Sequence, residues 1–211
     1  IDYVVADDLP TVVWLANLAV LELHVPQWTI DDDDTPRNPD RLVLDLDPGP
    51  PANVIECAQV ALELLPILEA DGLVPYAKSS GSKGMQLMVA LDGKRPAEEV
   101  HSYARELAQR LQRDRPDLVV WQMEKRLRHG KVLVDWSQNN PAKTTVAPYS
   151  LRGRDEPTVS APVSWDEVEK AARSSARTRL PLRFRTAQVL ERVAEHGDLM
   201  AGLLEDARPL P

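Results

Sequence analysis

The chain has 211 residues, 43% hydrophobic and 27% charged, with one cysteine and a formal net charge of −8. No apolar run approaches the roughly 20 residues needed to cross a bilayer. The single Cys57 excludes an internal disulfide and any multi-cysteine zinc site, and the acidic balance argues against a protein that coats nucleic acid indiscriminately. A cytoplasmic α/β protein with ample material for a core is expected, and the opening Ile1 suggests a piece of something longer.

Charge is segregated along the chain. Residues 1–77 hold 2 basic and 15 acidic side chains, residues 78–160 hold 15 and 10, and the remainder holds 8 and 8. The middle third is thus locally basic, which suits attraction of phosphates to one place.

In chain order, residues 8–25 read as a largely buried helix, with Asp8 as N-cap, Pro10 in the first turn and His24 at its end. The acidic, proline-punctuated stretch 31–40 reads as a loop insertion. Residues 41–51, RLVLDLDPGPP, read as a strand stopped by a Pro/Gly turn. Alternation along that strand puts Asp45 and Asp47 on one face and Leu44 and Leu46 on the other. Two like charges held side by side repel and must shed water, an arrangement that suits a cation between them, although Asp-x-Asp also occurs as a solvated strand end. A third carboxylate, Asp135, closes a similar short run, KVLVDWS. Three carboxylates on adjoining strands match the oxygen-ligand preference of Mg²⁺ or Mn²⁺ and suit two ions serving an in-line displacement at phosphorus.

Asn53 caps a predicted helix running to Ala70, kinked or ended early by Pro66. Residues 73–91 read as two strands joined by Ser79-Ser80-Gly81-Ser82-Lys83-Gly84. Small residues, two glycines and a lysine suit close approach to an anion, but the segment lacks the spacing of a Walker A loop and the helix that follows one. A helix over 96–113, a short strand over 118–123, the basic cluster Lys125 to Lys131, the Asp135 strand and a strand over 144–149 follow. Arg152 and Arg154 are expected just past that last strand. Ser164 to Glu167 opens a helix with a capping box. Residues 173–185 read as a basic connector, a helix runs from Thr186 to a Gly197 cap, and the tail is expected to fray.

Taken together, RLVLDLDPGP, SSGSKGMQLMVAL, GKVLVDWSQN and KTTVAPYSLRGR resemble, in order, the polymerase domain of bacterial DNA ligase D. That family is a branch of the archaeo-eukaryotic primase superfamily. The resemblance extends to the VVWLANLAVLELH segment and to TVSAPVSWDEV, and so covers almost the whole chain. It implies a single primase-like catalytic core of mixed sheets flanked by helices over residues 1–211, beginning after a family N-terminal segment that contacts template and downstream 5′-phosphate. It implies a nucleotidyl transferase that fills gaps at broken DNA ends with ribo- or deoxyribonucleotides, using two Mn²⁺ or Mg²⁺ ions. By position, Asp45, Asp47 and Asp135 are the implied metal ligands, the first two bridging both ions. Ser80, Lys83 and Arg152 are the implied triphosphate contacts, Gln138 and His24 the implied nucleotide contacts, and Lys125 and Arg128 basic residues beside the site, facing DNA. Gln86 stands where the family often has histidine, and glutamine can hydrogen-bond a phosphate but carries no charge. The implied partners are DNA ends or gapped DNA and nucleoside triphosphates, with Ku and a ligase domain as open candidates and no membrane. A non-catalytic end-binding module, a stand-alone primase-polymerase and, more distantly, a nuclease are the alternatives.

Overall fold

The structure, a computed structural model, describes residues 3–176 and 180–211. Part of the predicted basic connector, residues 177–179, lies outside the described residues. The helices are α1 (Leu9–Asn17), α2 (Val54–Ala70), α3 (Ala97–Asp114), α4 (Trp165–Ala172) and α5 (Thr186–His196). The strands are β1 (His24–Val25), β2 (Trp28–Ile30), β3 (Pro36–Pro39), β4 (Arg41–Pro48), β5 (Pro75–Ser79), β6 (Met85–Ala90), β7 (Val119–Val120), β8 (Val132–Asp135), β9 (Thr145–Val146), β10 (Leu151–Arg152), β11 (Thr158–Val159) and β12 (Pro162–Val163).

Six strands form the main sheet in the order β12-β5-β6-β4-β8-β7. Neighbours run antiparallel except β7 and β8, which are parallel, so the sheet is mixed as expected. Its two faces follow from alternation along the strands. Leu42, Leu44 and Leu46 of β4 point to one side, where α2, α3 and α4 bury Leu64, Leu107 and Val168 against them. Val43 points to the other and meets Met88 and Met200. Cys57 is a buried core residue of α2, its thiol donating to Leu46 O at 3.3 Å. Three two-stranded pairs, β1-β9, β2-β3 and β10-β11, accompany the sheet.

The local signals hold where they rest on caps. Asp8 accepts from Thr11 N at 2.8 Å. Asn53 and Glu56, and likewise Ser164 and Glu167, form reciprocal capping boxes. Gly197 ends α5 at φ 71°, a backbone conformation glycine adopts at little cost.

Five expectations are corrected. The first helix stops at Asn17, and none of its residues is buried. Leu9 is 74% exposed and Trp14 51%. A run that is apolar all round needs cover on several sides, and the described residues leave it open; after a turn through Ala19 at φ 58°, the chain becomes β1. Stretch 31–40 is the tip and return strand of the β2-β3 hairpin, closed by Asp31 N donating to Thr35 O at 2.9 Å. Pro66 neither ends nor shortens α2, which runs on to Ala70: it costs the helix one N–H bond, and the helix's buried face, Leu64 and Leu68 on either side included, holds the backbone in place. The 144–149 strand is confined to β9, with Tyr149 at φ 64° turning the chain, so Arg152 lies within β10 and not beyond a strand's exit. The tail does not fray: Arg208 N donates to Ala90 O and Leu210 is buried.

Candidate active site

Strand register builds the site. Asp45 of β4 is the direct partner of Gln86 on β6 and of Asp135 on β8, and Gln86 is in turn the partner of Lys78 on β5. Direct partners share a face, so Lys78, Gln86, Asp45 and Asp135 form one row across four strands. Alternation adds Asp47 two residues along β4 on the same face.

The row's negative end is held under electrostatic stress. Burial, with Asp47 and Asp135 adding repulsion, pushes Asp45 up to about 7. Asp47 is raised by burial and by Asp135, against the lowering effect of Arg128 and Lys83. Asp135 accepts from Ser137 N at 3.0 Å, from Ser137 Oγ at 2.5 Å and from Gln138 Nε2 at 3.3 Å. Lys143 reaches the same Ser137 hydroxyl. Among the described residues, no three His, Cys, Asp or Glu side chains are already gathered as a metal cage. The donor set nevertheless fits a hard divalent cation: three carboxylates on adjoining strands, with Asp45 and Asp47 both raised by burial and then by the charge of neighbouring carboxylates, need positive charge between them.

The basic side of the site comes from loops seated on the exit of β4. A Cβ on Gly84 would lie 2.0 Å from Leu46 O, and one on Gly49 would lie 1.8 Å from Arg128 O. Only glycine permits these approaches, which press the Ser80 to Gly84 loop and the segment around Arg128 against the end of the carboxylate strand. Ser80 Oγ accepts from Ser82 N and Gly84 N, both at 3.2 Å, so its first role is to shape the loop. Lys83 is exposed and acts on Asp47 through its charge. Arg128 stands 3.9 Å from Asp47 and donates to Met123 O at 2.7 Å, which places it at the carboxylates, while Lys125 is exposed on the short helical turn Lys125–Leu127.

Arg152 packs against the same loop, since a Cβ on Gly81 would lie 2.7 Å from its Cγ. The Nε atoms of Arg128 and Arg152 are both buried without a hydrogen-bond partner. Buried donors without a hydrogen-bond partner are uncommon. His24 is on β1, not at a helix end. Its Nε2 donates to Glu22 Oε2 at 3.0 Å, and Glu22 Oε1 accepts from Gly153 N at 2.9 Å and sits 3.4 Å from Arg152 Nε. Glu22 therefore joins His24 to Arg152 across a large sequence separation.

Sequence reasoning singled out neither Lys78 nor Glu22. Lys78 has no exposed surface, and burial drives its ammonium down to about 7 despite the charge of Asp45. The available signal was its spacing: a lysine two residues before Ser80, in phase with Tyr76 on an otherwise apolar strand. Gln86 is also buried, its amide oxygen accepting from Lys78 on one side and the residue paired with Asp45 on the other.

The family described as LigD, primase-polymerase domain, matches residues 1–200. A multifunctional non-homologous end joining protein LigD of Mycolicibacterium smegmatis is 45% identical over 195 residues, covering 92% of this chain and 24% of that protein. A bifunctional LigD of Bacillus subtilis is 32% identical over 197 residues, covering 93% of this chain and 30% of that protein. The chain thus spans about a quarter to a third of these relatives. The solved polymerase domain of Mycobacterium tuberculosis Ligase D, in complex with DNA, superposes with a TM-score of 0.86 at 40% identity, covering 98% of this chain and 71% of that one. Fold, motif order and sequence agree throughout, and the chain belongs to the LigD primase-polymerase domain family.

Proposed function

We propose that this domain transfers nucleotides from nucleoside triphosphates to a DNA 3′-hydroxyl, filling gaps during end joining of double-strand breaks. Its family is one of metal-dependent, DNA-directed nucleotidyltransferases. The observation that carries the reading is the pairing of Asp45 with Asp135 across β4 and β8, beside Asp47 and with the Arg128 guanidinium 3.9 Å from Asp47.

Asp45, Asp47 and Asp135 would hold Mn²⁺ or Mg²⁺, as two ions. Bound there, the metal would neutralise charge on the attacking and leaving oxygens. The protein's own groups do the positioning. Arg152, Lys83 and Ser80 face the triphosphate, with Arg128 offsetting charge at the Asp47 end. His24 and Gln138 border the nucleotide, and Lys125 extends the basic surface towards DNA. Gln86 supports the carboxylates: with its oxygen accepting from Lys78, its N–H groups are left for Asp45, its cross-strand partner, or for a phosphate oxygen beside it. DNA ends, nucleoside triphosphates, Ku and a ligase domain are the partners this reading assigns.

The test is incorporation of ribo- or deoxyribonucleotides on gapped DNA bearing a 5′-phosphate, with Mn²⁺ or Mg²⁺, comparing the protein with its Asp47→Ala form. Incorporation lost in the variant supports the reading. If neither form incorporates or binds nucleotide, the chain is an end-binding module, and Asp47→Ala would leave its DNA affinity intact or improved.

A further inference from the structure

The side-chain row across the sheet begins at Lys78, which is 0% exposed. Fully buried lysines are rare, because removing an ammonium from water costs several kcal/mol unless its protons find acceptors. Lys78 Nζ donates to Gln86 Oε1 and, at 2.6 Å, to Ser160 Oγ. The Ser160 hydroxyl in turn donates to Ser79 O at 3.1 Å. The ammonium is therefore anchored from the segment between β11 and β12 as well as from β6.

Gln86 lies between Lys78 and Asp45 in register. A side-chain amide has one accepting and one donating end, and rotation by half a turn exchanges them. An ammonium only donates, so Lys78 can face only the oxygen of Gln86. The amide's N–H groups are then left for the Asp45 carboxylate, the direct cross-strand partner of Gln86. Without the lysine, nothing on the β5 side selects this orientation, and the amide oxygen could turn towards a carboxylate already crowded by Asp47 and Asp135.

We propose that Lys78 is a positioning residue for Asp45: anchored by Ser160 and acting through the Gln86 amide, it holds the Asp45 carboxylate in the orientation that ligates a divalent cation. The inference rests on the reading of Asp45 as a metal ligand. Lys78 and Gln86 touch neither cation nor substrate in this arrangement, and the positive charge behind the neutral Gln86 is supplied from the neighbouring strand.

The test is Mn²⁺ binding in the absence of nucleotide and DNA, followed by loss of the free-ion electron paramagnetic resonance signal. Wild type, Lys78→Met, Gln86→Leu, the double variant and Asp45→Asn are compared, each checked by thermal melting. Groups that orient a metal ligand change affinity by about 10-fold or more when removed, so each single change is expected to weaken Mn²⁺ binding about tenfold. The double variant is expected to bind no more weakly than either single one, because both cut the same link. Wild-type affinity in Lys78→Met, or losses that multiply in the double variant, overturns the proposal while leaving Asp45 as a ligand. Wild-type affinity in Asp45→Asn overturns the metal reading itself. Should Lys78→Met fail to fold, Ser160→Ala, which loosens the ammonium without removing it, takes its place in the same cycle.

Discussion

Asp45 and Asp135 are direct cross-strand partners on β4 and β8, so the pairing of two antiparallel strands sets two carboxylates side by side. Like charges in that position destabilise a sheet, and this pair has Asp47 as a third member on the same face. The arrangement costs the fold stability in return for a binding site for positive charge, and removing one carboxylate should move the two properties in opposite directions.

Asp135→Asn keeps the shape and much of the hydrogen bonding to Ser137 while deleting a charge. Without divalent cations its melting temperature is expected to exceed that of the wild type. Nucleotide incorporation is expected to fall by about 100-fold or more, as for loss of a group acting on charge in the transition state. Calorimetry and a primer-extension assay read the two effects; a variant both less stable and fully active would contradict this account.

Stability should also depend on pH in a defined sense. Asp45 is raised to about 7 in the folded protein from an ordinary 3.8, so between those values the folded state binds its proton more tightly than the unfolded state does. Metal-free protein is therefore expected to lose stability as pH rises from about 4 to 7 through this group. Lys78, lowered to about 7, contributes the opposite slope only above that value. Melting curves of wild type and Asp45→Asn across this window should differ most at neutral pH, where the variant gains, and Mn²⁺ should stabilise the wild type more at pH 7 than at pH 5.

Glu22 contacts His24, Gly153 N and Arg152 together. Glu22→Gln retains a hydrogen-bonding oxygen for Gly153 but removes the charge that orients the guanidinium. An ion pair of this kind contributes up to about 1 kcal/mol, so the KM for nucleoside triphosphate is expected to rise about fivefold, with a smaller change in kcat. Steady-state kinetics separate the two; a fall in kcat at constant KM would assign Glu22 to the chemical step instead.

Asn139 continues the ladder of β4 where β8 ends. Its side chain accepts from Val43 N at 2.8 Å and donates to Val43 O at 2.7 Å, and the residue is buried. Asn139→Ala leaves a buried donor and acceptor without partners, which costs about 2–4 kcal/mol in all. Urea unfolding should show a lower midpoint with an unchanged slope.

Much of this molecule was legible in its sequence because the signals were local. The caps at Asp8, Asn53 and Ser164 depend on residues a few positions apart, and the alternation that sends Asp45 and Asp47 to one face and Leu46 to the other is a property of one strand. The ordered motifs also sufficed to recognise the family. The exposed α1 shows the limit of such reasoning: its apolar residues describe a helix that wants cover, and periodicity does not say whether cover is present. Lys78 shows the same limit at the site. By sequence it is a lysine among apolar neighbours; its contacts with Gln86 and Ser160 span 8 and 82 residues. The sequence by itself determined which side chains carry charge, where the capped helices begin, and that carboxylates and basic loops occur in the family's order. Only the tertiary structure decided that Lys78, Gln86, Asp45 and Asp135 stand in one row and that Glu22 joins His24 to Arg152. Strand register and loop docking depend on pairing and packing between distant segments, and no local pattern encodes them.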